Sequence, residues 1–70
     1  MNMTNTILSL YADGEPHFNA EMYDYVDFGT LDKTKEETKR RHKIARGIQQ
    51  NLKNQGRLEN LCRGYWILSA

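Results

Sequence analysis

Seventy residues leave room for one domain, and a chain that short buries only about 60% of the surface it exposes when unfolded, so its core has to be compact. One cysteine, Cys62, excludes an internal disulfide; with His17 and His42 it makes a set too scattered for a structural zinc, and no metal or cofactor is expected. The formal net charge of +1 hides a division, because residues 1–31 hold Asp13, Glu15, Glu21, Asp24 and Asp27 without one Lys or Arg, whereas residues 32–70 hold all ten basic side chains against four acids. Such a split suits one pole to a polyanion and leaves the other repelled by it. No basic residue precedes Lys33, which argues against a secretory signal, and no apolar run approaches the roughly 20 residues that span a bilayer. With a free cysteine in addition, the expectation is a soluble, cytoplasmic chain with no membrane partner.

In chain order, Ile7, Leu8 and Tyr11, flanked by Leu10, have the three- and four-residue spacing of an amphipathic helix over about 5–12. Asp13-Gly14 followed by Pro16 closes it. After an extended stretch at His17 and Phe18, Asn19 is placed as the cap of a second helix over about 19–26, with Glu21 favourable in its first turn and Met22, Tyr25 and Val26 on its buried side. Asp27 to Thr30 reads as a loop. Twelve residues without an apolar side chain, Asp32 to Lys43, precede Ile44, Ile48 and Leu52 at four-residue spacing. They predict a third helix over about 36–54, firm from about Arg41 and open in its first turns, ended by Gly56. The segment 57–68, rich in branched and aromatic residues on either side of Arg63-Gly64, predicts a hairpin whose tight turn uses the positive φ open to Gly64. The fold class is therefore α+β and mainly helical, a three-helix winged helix-turn-helix with a C-terminal β-hairpin wing.

Several short stretches sharpen that layout: Ile7-Leu8-Ser9-Leu10; Ala12-Asp13-Gly14-Glu15-Pro16-His17; Ala45 with Ile48 and Leu52; Gly56-Arg57-Leu58-Glu59; and Arg63-Gly64-Tyr65-Trp66. Together they resemble the N-terminal domain of Mrr-type restriction endonucleases, which has a D-G-x-x-H turn, a basic third helix with an I-x-x-x-L tail and a G-(L/I)-(L/I)-E…R-G-x-W wing. The chain departs from the pattern at Arg57, where the family has an apolar residue, and at Ser69-Ala70, where the family continues toward a nuclease domain. The resemblance thus implies a DNA-reading module without cleavage.

With Ile44, Ile48 and Leu52 inward, a step of about 100° per residue sends His42, Arg46, Gln49, Gln50 and Lys53 outward. Lys35, Lys39, Arg40, Arg41 and Lys43 extend the basic surface toward the helix start, where helix-turn-helix proteins read bases. Arg and Lys reach guanine edges or phosphates, and Gln pairs with adenine. Arg63 at the hairpin tip completes the set, placed for the backbone or a minor groove. Trp66 is expected in the core, with Tyr65 on the outer face.

His17 has no partner visible in the sequence and reads as a packing or hydrogen-bonded residue, not a ligand or base. Cys62 reads as a half-buried filler, and the adjacent Glu36 and Glu37 diverge on a helix, so no catalytic set emerges. Double-stranded DNA is the expected partner, with a homodimer to extend the site. A second class stays open: a protein-interaction module, in keeping with a phage or mobile-element product that binds or inhibits a host protein through exposed Tyr23, Phe28 and Tyr65.

Overall fold

The computed structural model describes residues 2–28 and 34–69; of the loop expected over Asp27 to Thr30, Asp27 is the last residue of α2 and Phe28 its C-cap, and Gly29 and Thr30 lie outside the described residues. Its elements run α1 (Met3–Tyr11), β1 (His17–Phe18), α2 (Asn19–Asp27), α3 (Lys35–Asn54), β2 (Leu58–Cys62) and β3 (Tyr65–Leu68). The strands form one antiparallel sheet in the order β1-β3-β2. This is an α+β, mainly helical fold with the layout of a winged helix, and β1 adds a third strand to the expected hairpin.

Each helix boundary has a local cause. Asn2 caps α1, its Oδ1 accepting from the Asn5 N–H at 3.1 Å, which starts the helix two residues earlier than the apolar spacing predicts. Thr34 caps α3 in the same way, Oγ1 accepting from Glu37 N–H at 3.3 Å, so the polar run from Lys35 to Arg40 is helical and α3 is about 30 Å long. At its other end Gly56 adopts φ +76°. There Arg57 N–H donates to Leu52 O (2.8 Å) and Gly56 N–H to Lys53 O (3.0 Å), the paired bonds of a Schellman motif. Asn19 is not the cap of α2: Phe18 holds that position without a side-chain bond, and Asn19 is the first helical residue.

The core is formed by Ile7 and Tyr11 of α1, Met22 and Val26 of α2, Ala45 and Leu52 of α3, Leu58 of β2 and Trp66 of β3. Two expectations fail here. Tyr25 is 43% exposed, α2 burying Met22 and Val26 instead, and Ile44 is 47% exposed, because α3 is rotated by about one residue from the Ile44/Ile48/Leu52 phase and turns Ala45 and Gln49 inward. Leu61 bulges out of the β2–β3 ladder between Asn60 and Cys62, and Asn60 Nδ2 closes the bulge by donating to Cys62 O and Tyr65 O at 2.6 and 3.1 Å. Cys62 is exposed there, not a half-buried filler. Gly64, at φ +75°, turns the hairpin and accepts through its carbonyl the Asn19 N–H at 2.8 Å, tying the wing to the start of α2. No helix among the described residues is long and apolar enough to cross a membrane.

Trp66 faces the core as expected, and its Nε1–H is the buried side-chain donor left without a partner among the described residues. An unpaired buried donor costs about 1–3 kcal/mol, whereas losing the ring altogether costs about 3–5 kcal/mol. Trp66→Phe is therefore expected to fold with little loss, and Trp66→Ala to lose most of the domain's stability. Urea unfolding followed by circular dichroism separates the two.

Candidate nucleic-acid interface

The phase of α3 decides which of its side chains reach solvent. Taking Ala45, Gln49 and Leu52 as the inner line, the helical step places Lys39, Lys43, Arg46, Gln50 and Lys53 on the side turned away from α1 and α2. All five are exposed. The four cations among them have no ion-pair partner among the described residues, and Gln50 donates only to Asn54 within its own helix, at 3.3 Å. Arg40 lies at the edge of this stripe, its side chain 72% exposed and loosely paired with Glu37 at 3.8 Å. Arg63 is exposed in the turn between β2 and β3. Glu36 and Glu37 occupy the first turn of α3, where the helix dipole favours them. Lys35, exposed at the first position of α3, lies on the same side of the helix as Lys39 and Lys53, so the cationic surface runs from the helix start with these two acids beside it.

Three residues expected on this surface are used elsewhere. Gln49 is 2% exposed; its Nε2 donates to Tyr11 Oη at 3.0 Å and to Asn19 Oδ1 at 3.1 Å, so it joins all three helices from inside. Burial pushes the Tyr11 hydroxyl above its usual pKa, partly offset by the bond from Gln49. Arg41 Nε donates to Asp27 Oδ1 and His42 Nε2 to Asp27 Oδ2, both at 2.7 Å. The imidazole also stacks on Tyr23, centroids 4.2 Å apart and planes 10° from parallel. Burial would raise the Asp27 pKa, but the Arg41 and His42 bonds outweigh it and hold the carboxyl below its ordinary range. Arg41 and His42 therefore form the α2–α3 joint.

The sequence held a signal for this arrangement. Ala45, Ile48 and Leu52 also follow helical spacing and give the observed phase, but alanine carries less weight in an apolar stripe than isoleucine. Nothing in the sequence pairs Asp27 with residues 14 and 15 positions further on. Tyr65, expected to face outward, is half-buried and packs on Phe18, with centroids 4.2 Å apart.

His17 is hydrogen-bonded, with two carboxylates as the partners that the sequence left unnamed. Its Nδ1–H donates to Glu21 Oε2 at 2.6 Å and its Nε2–H to the Asp13 carboxylate at 3.0 Å, so both ring nitrogens act as donors and the imidazolium is favoured. The Asp13-Gly14-Glu15-Pro16-His17 stretch is thus a closed turn that links the end of α1 to the start of α2. The Glu21 bond, ahead of that to Asp13 and against the effect of burial, raises the His17 pKa. Asp13 is lowered by the Glu15 N–H and then by His17.

Compared with protein-family models, curated proteins and solved structures, the chain matches none of them.

Two outcomes follow from these assignments. Gln49→Leu leaves Tyr11 Oη and Asn19 Oδ1 without their donor and is expected to cost roughly 2 kcal/mol, lowering Tm by about 10 °C; Gln50→Ala leaves Tm unchanged. Because the folded pKa of His17 lies above its unfolded value, the stability it contributes is complete below about pH 6.5 and is lost as pH rises through the folded pKa. An NMR titration is expected to place the His17 midpoint above that of a peptide histidine, and His17→Gln to reduce the fall in Tm between pH 6 and pH 8.5.

Proposed function

We propose that this chain is a DNA-binding module acting in the cytoplasm, which lays the outer face of α3 along a major groove and sets its wing against the backbone or the neighbouring minor groove. The observation that carries the reading is the continuous stripe of Lys39, Lys43, Arg46 and Lys53, interleaved with Gln50, on a 20-residue helix whose inner line of Ala45, Gln49 and Leu52 is buried in the core. Lysine and arginine supply the salt-dependent attraction to phosphates, and Arg46 and Gln50 have the chemistry to read base edges. Arg63 extends the contact from the wing. The likeness of the wing and of the Asp13–His17 turn to the Mrr-type N-terminal domain supports the same role, that of a DNA reader. One recognition helix covers few base pairs, so specific binding calls for a homodimer or a larger assembly.

The test is fluorescence anisotropy of a labelled random duplex across salt concentrations. Arg41 and His42 are unsuitable probes, since removing either leaves Asp27 partly unpaired at the α2–α3 joint; Lys39, Lys43 and Arg46 can be truncated without touching the fold. With about five phosphates neutralised, affinity falls several-hundredfold between 50 and 200 mM salt. Replacing those three with alanine flattens the log–log slope by about 2.7, at ~0.9 for each phosphate no longer neutralised, while Tm stays unchanged. Affinity that ignores salt, or survives the triple replacement, overturns the reading.

A further inference from the structure

α1 and α2 leave an open groove of about 800 Å³ between them, on a surface to which α3 contributes no lining residue. Its walls are Leu10, Tyr25, Val26 and Phe28, with Glu21 and Asp24 as its ionisable groups. The apolar part is well presented to solvent: Phe28 is 89% exposed and Tyr25 43%. Aromatic rings held in water beside a half-open apolar channel are the anchors that dominate protein interfaces. Both ionisable groups of its lining are acids, Asp24 and Glu21, the latter also held by His17 at 2.6 Å, and neither α1 nor α2 contains a Lys or Arg.

We propose that this groove docks an amphipathic helix of a partner protein, one whose apolar side chains recur at three- and four-residue spacing and are flanked by Lys or Arg. The apolar side chains would enter between Leu10, Tyr25 and Phe28 in the helix-in-groove mode, with the flanking cations meeting Glu21 and Asp24. Charge excludes the simplest alternative, a two-fold dimer across the groove. Such an interface sets the same patch against itself and would bring Glu21 and Asp24 onto their own images with no cation supplied by either helix. A second copy offering its basic α3 instead would make a head-to-tail contact that does not close and would cover the cationic stripe. The proposal is independent of the DNA reading, because no residue is shared between the two surfaces.

Peptides of about 18 residues, long enough to form a helix, serve as probes: one with leucines on a single helical face and lysines flanking them, one with glutamates replacing the lysines, and one with the lysine composition in scrambled order. NMR shifts of the intact chain are expected to saturate at Leu10, Tyr25, Val26 and Phe28 with the first peptide, and the other two to bind at least about tenfold more weakly. Asp24→Lys combined with Tyr25→Ala, neither of which touches the core, is expected to reduce affinity by at least about tenfold with the far-ultraviolet dichroism unchanged. The alanine replacements at Lys39, Lys43 and Arg46 leave peptide binding intact, so loss of DNA binding and loss of groove binding are read separately. Equal binding of the scrambled peptide, shifts centred elsewhere, or dimerisation of the free chain through Tyr25 and Phe28 overturns the proposal.

Discussion

The arrangement of the domain depends on the amide of Gln49. From the inner face of α3 it donates to the Tyr11 hydroxyl of α1 and to the Asn19 side chain of α2, and Asn19 in turn gives its backbone N–H to Gly64 in the wing. Four parts of a small protein thus meet through one buried polar chain. Buried polar groups add little net stability when satisfied but cost heavily when stranded. Alternative packings of such short helices would strand Tyr11 Oη or Asn19 Oδ1. In a core with few large side chains, Gln49 fixes the rotation of α3 where apolar contacts alone would tolerate Ile44 inward.

The Asp27 carboxylate makes the same choice from outside. It takes one hydrogen bond from Arg41 and one from His42, neighbours on α3 that can both reach α2 only when the line through Ala45 is inward. One cation and one imidazole are thereby withdrawn from the surface, and the charges left on the outer face become the evenly spaced Lys39, Lys43 and Arg46. The joint and the candidate interface are set by one rotation. A helix turned by one residue would have exposed Gln49 and Arg41 and buried Ile44.

Much of the architecture is legible in the sequence alone. The order of elements, the stop at Asp13-Gly14, the end of α3 at Gly56 and the inward Trp66 all follow from local chemistry: caps, turns and periodicity. The roles of Gln49, Arg41 and His42 are not legible there, because each depends on a partner between 14 and 38 positions away in the chain. A glutamine four residues from Ala45 looks like a solvent residue unless Tyr11 is known to face it. His17 is the opposite case: its partners Asp13 and Glu21 both lie four residues away, so the ion pairs could have been proposed from spacing once the backbone was known to turn between them.

The charge division of the sequence survives in space as two surfaces, a cationic one on the outside of α3 and an anionic one on α2 and the Asp13–Glu15 turn behind it. Whether they cancel depends on distance relative to screening. The domain measures 35 × 20 × 18 Å, and at physiological ionic strength fields decay over about 8 Å, so across the width of the molecule each surface acts nearly alone. A polyanion approaching α3 then feels mainly Lys39, Lys43, Arg46 and Lys53. At about 0.01 M salt the screening length grows to roughly 30 Å, which spans the whole domain, and the carboxylates behind the helix begin to oppose that attraction. A net charge of +1 is therefore a poor guide to what the protein can hold, because the sum describes neither face at the salt concentration where binding would take place.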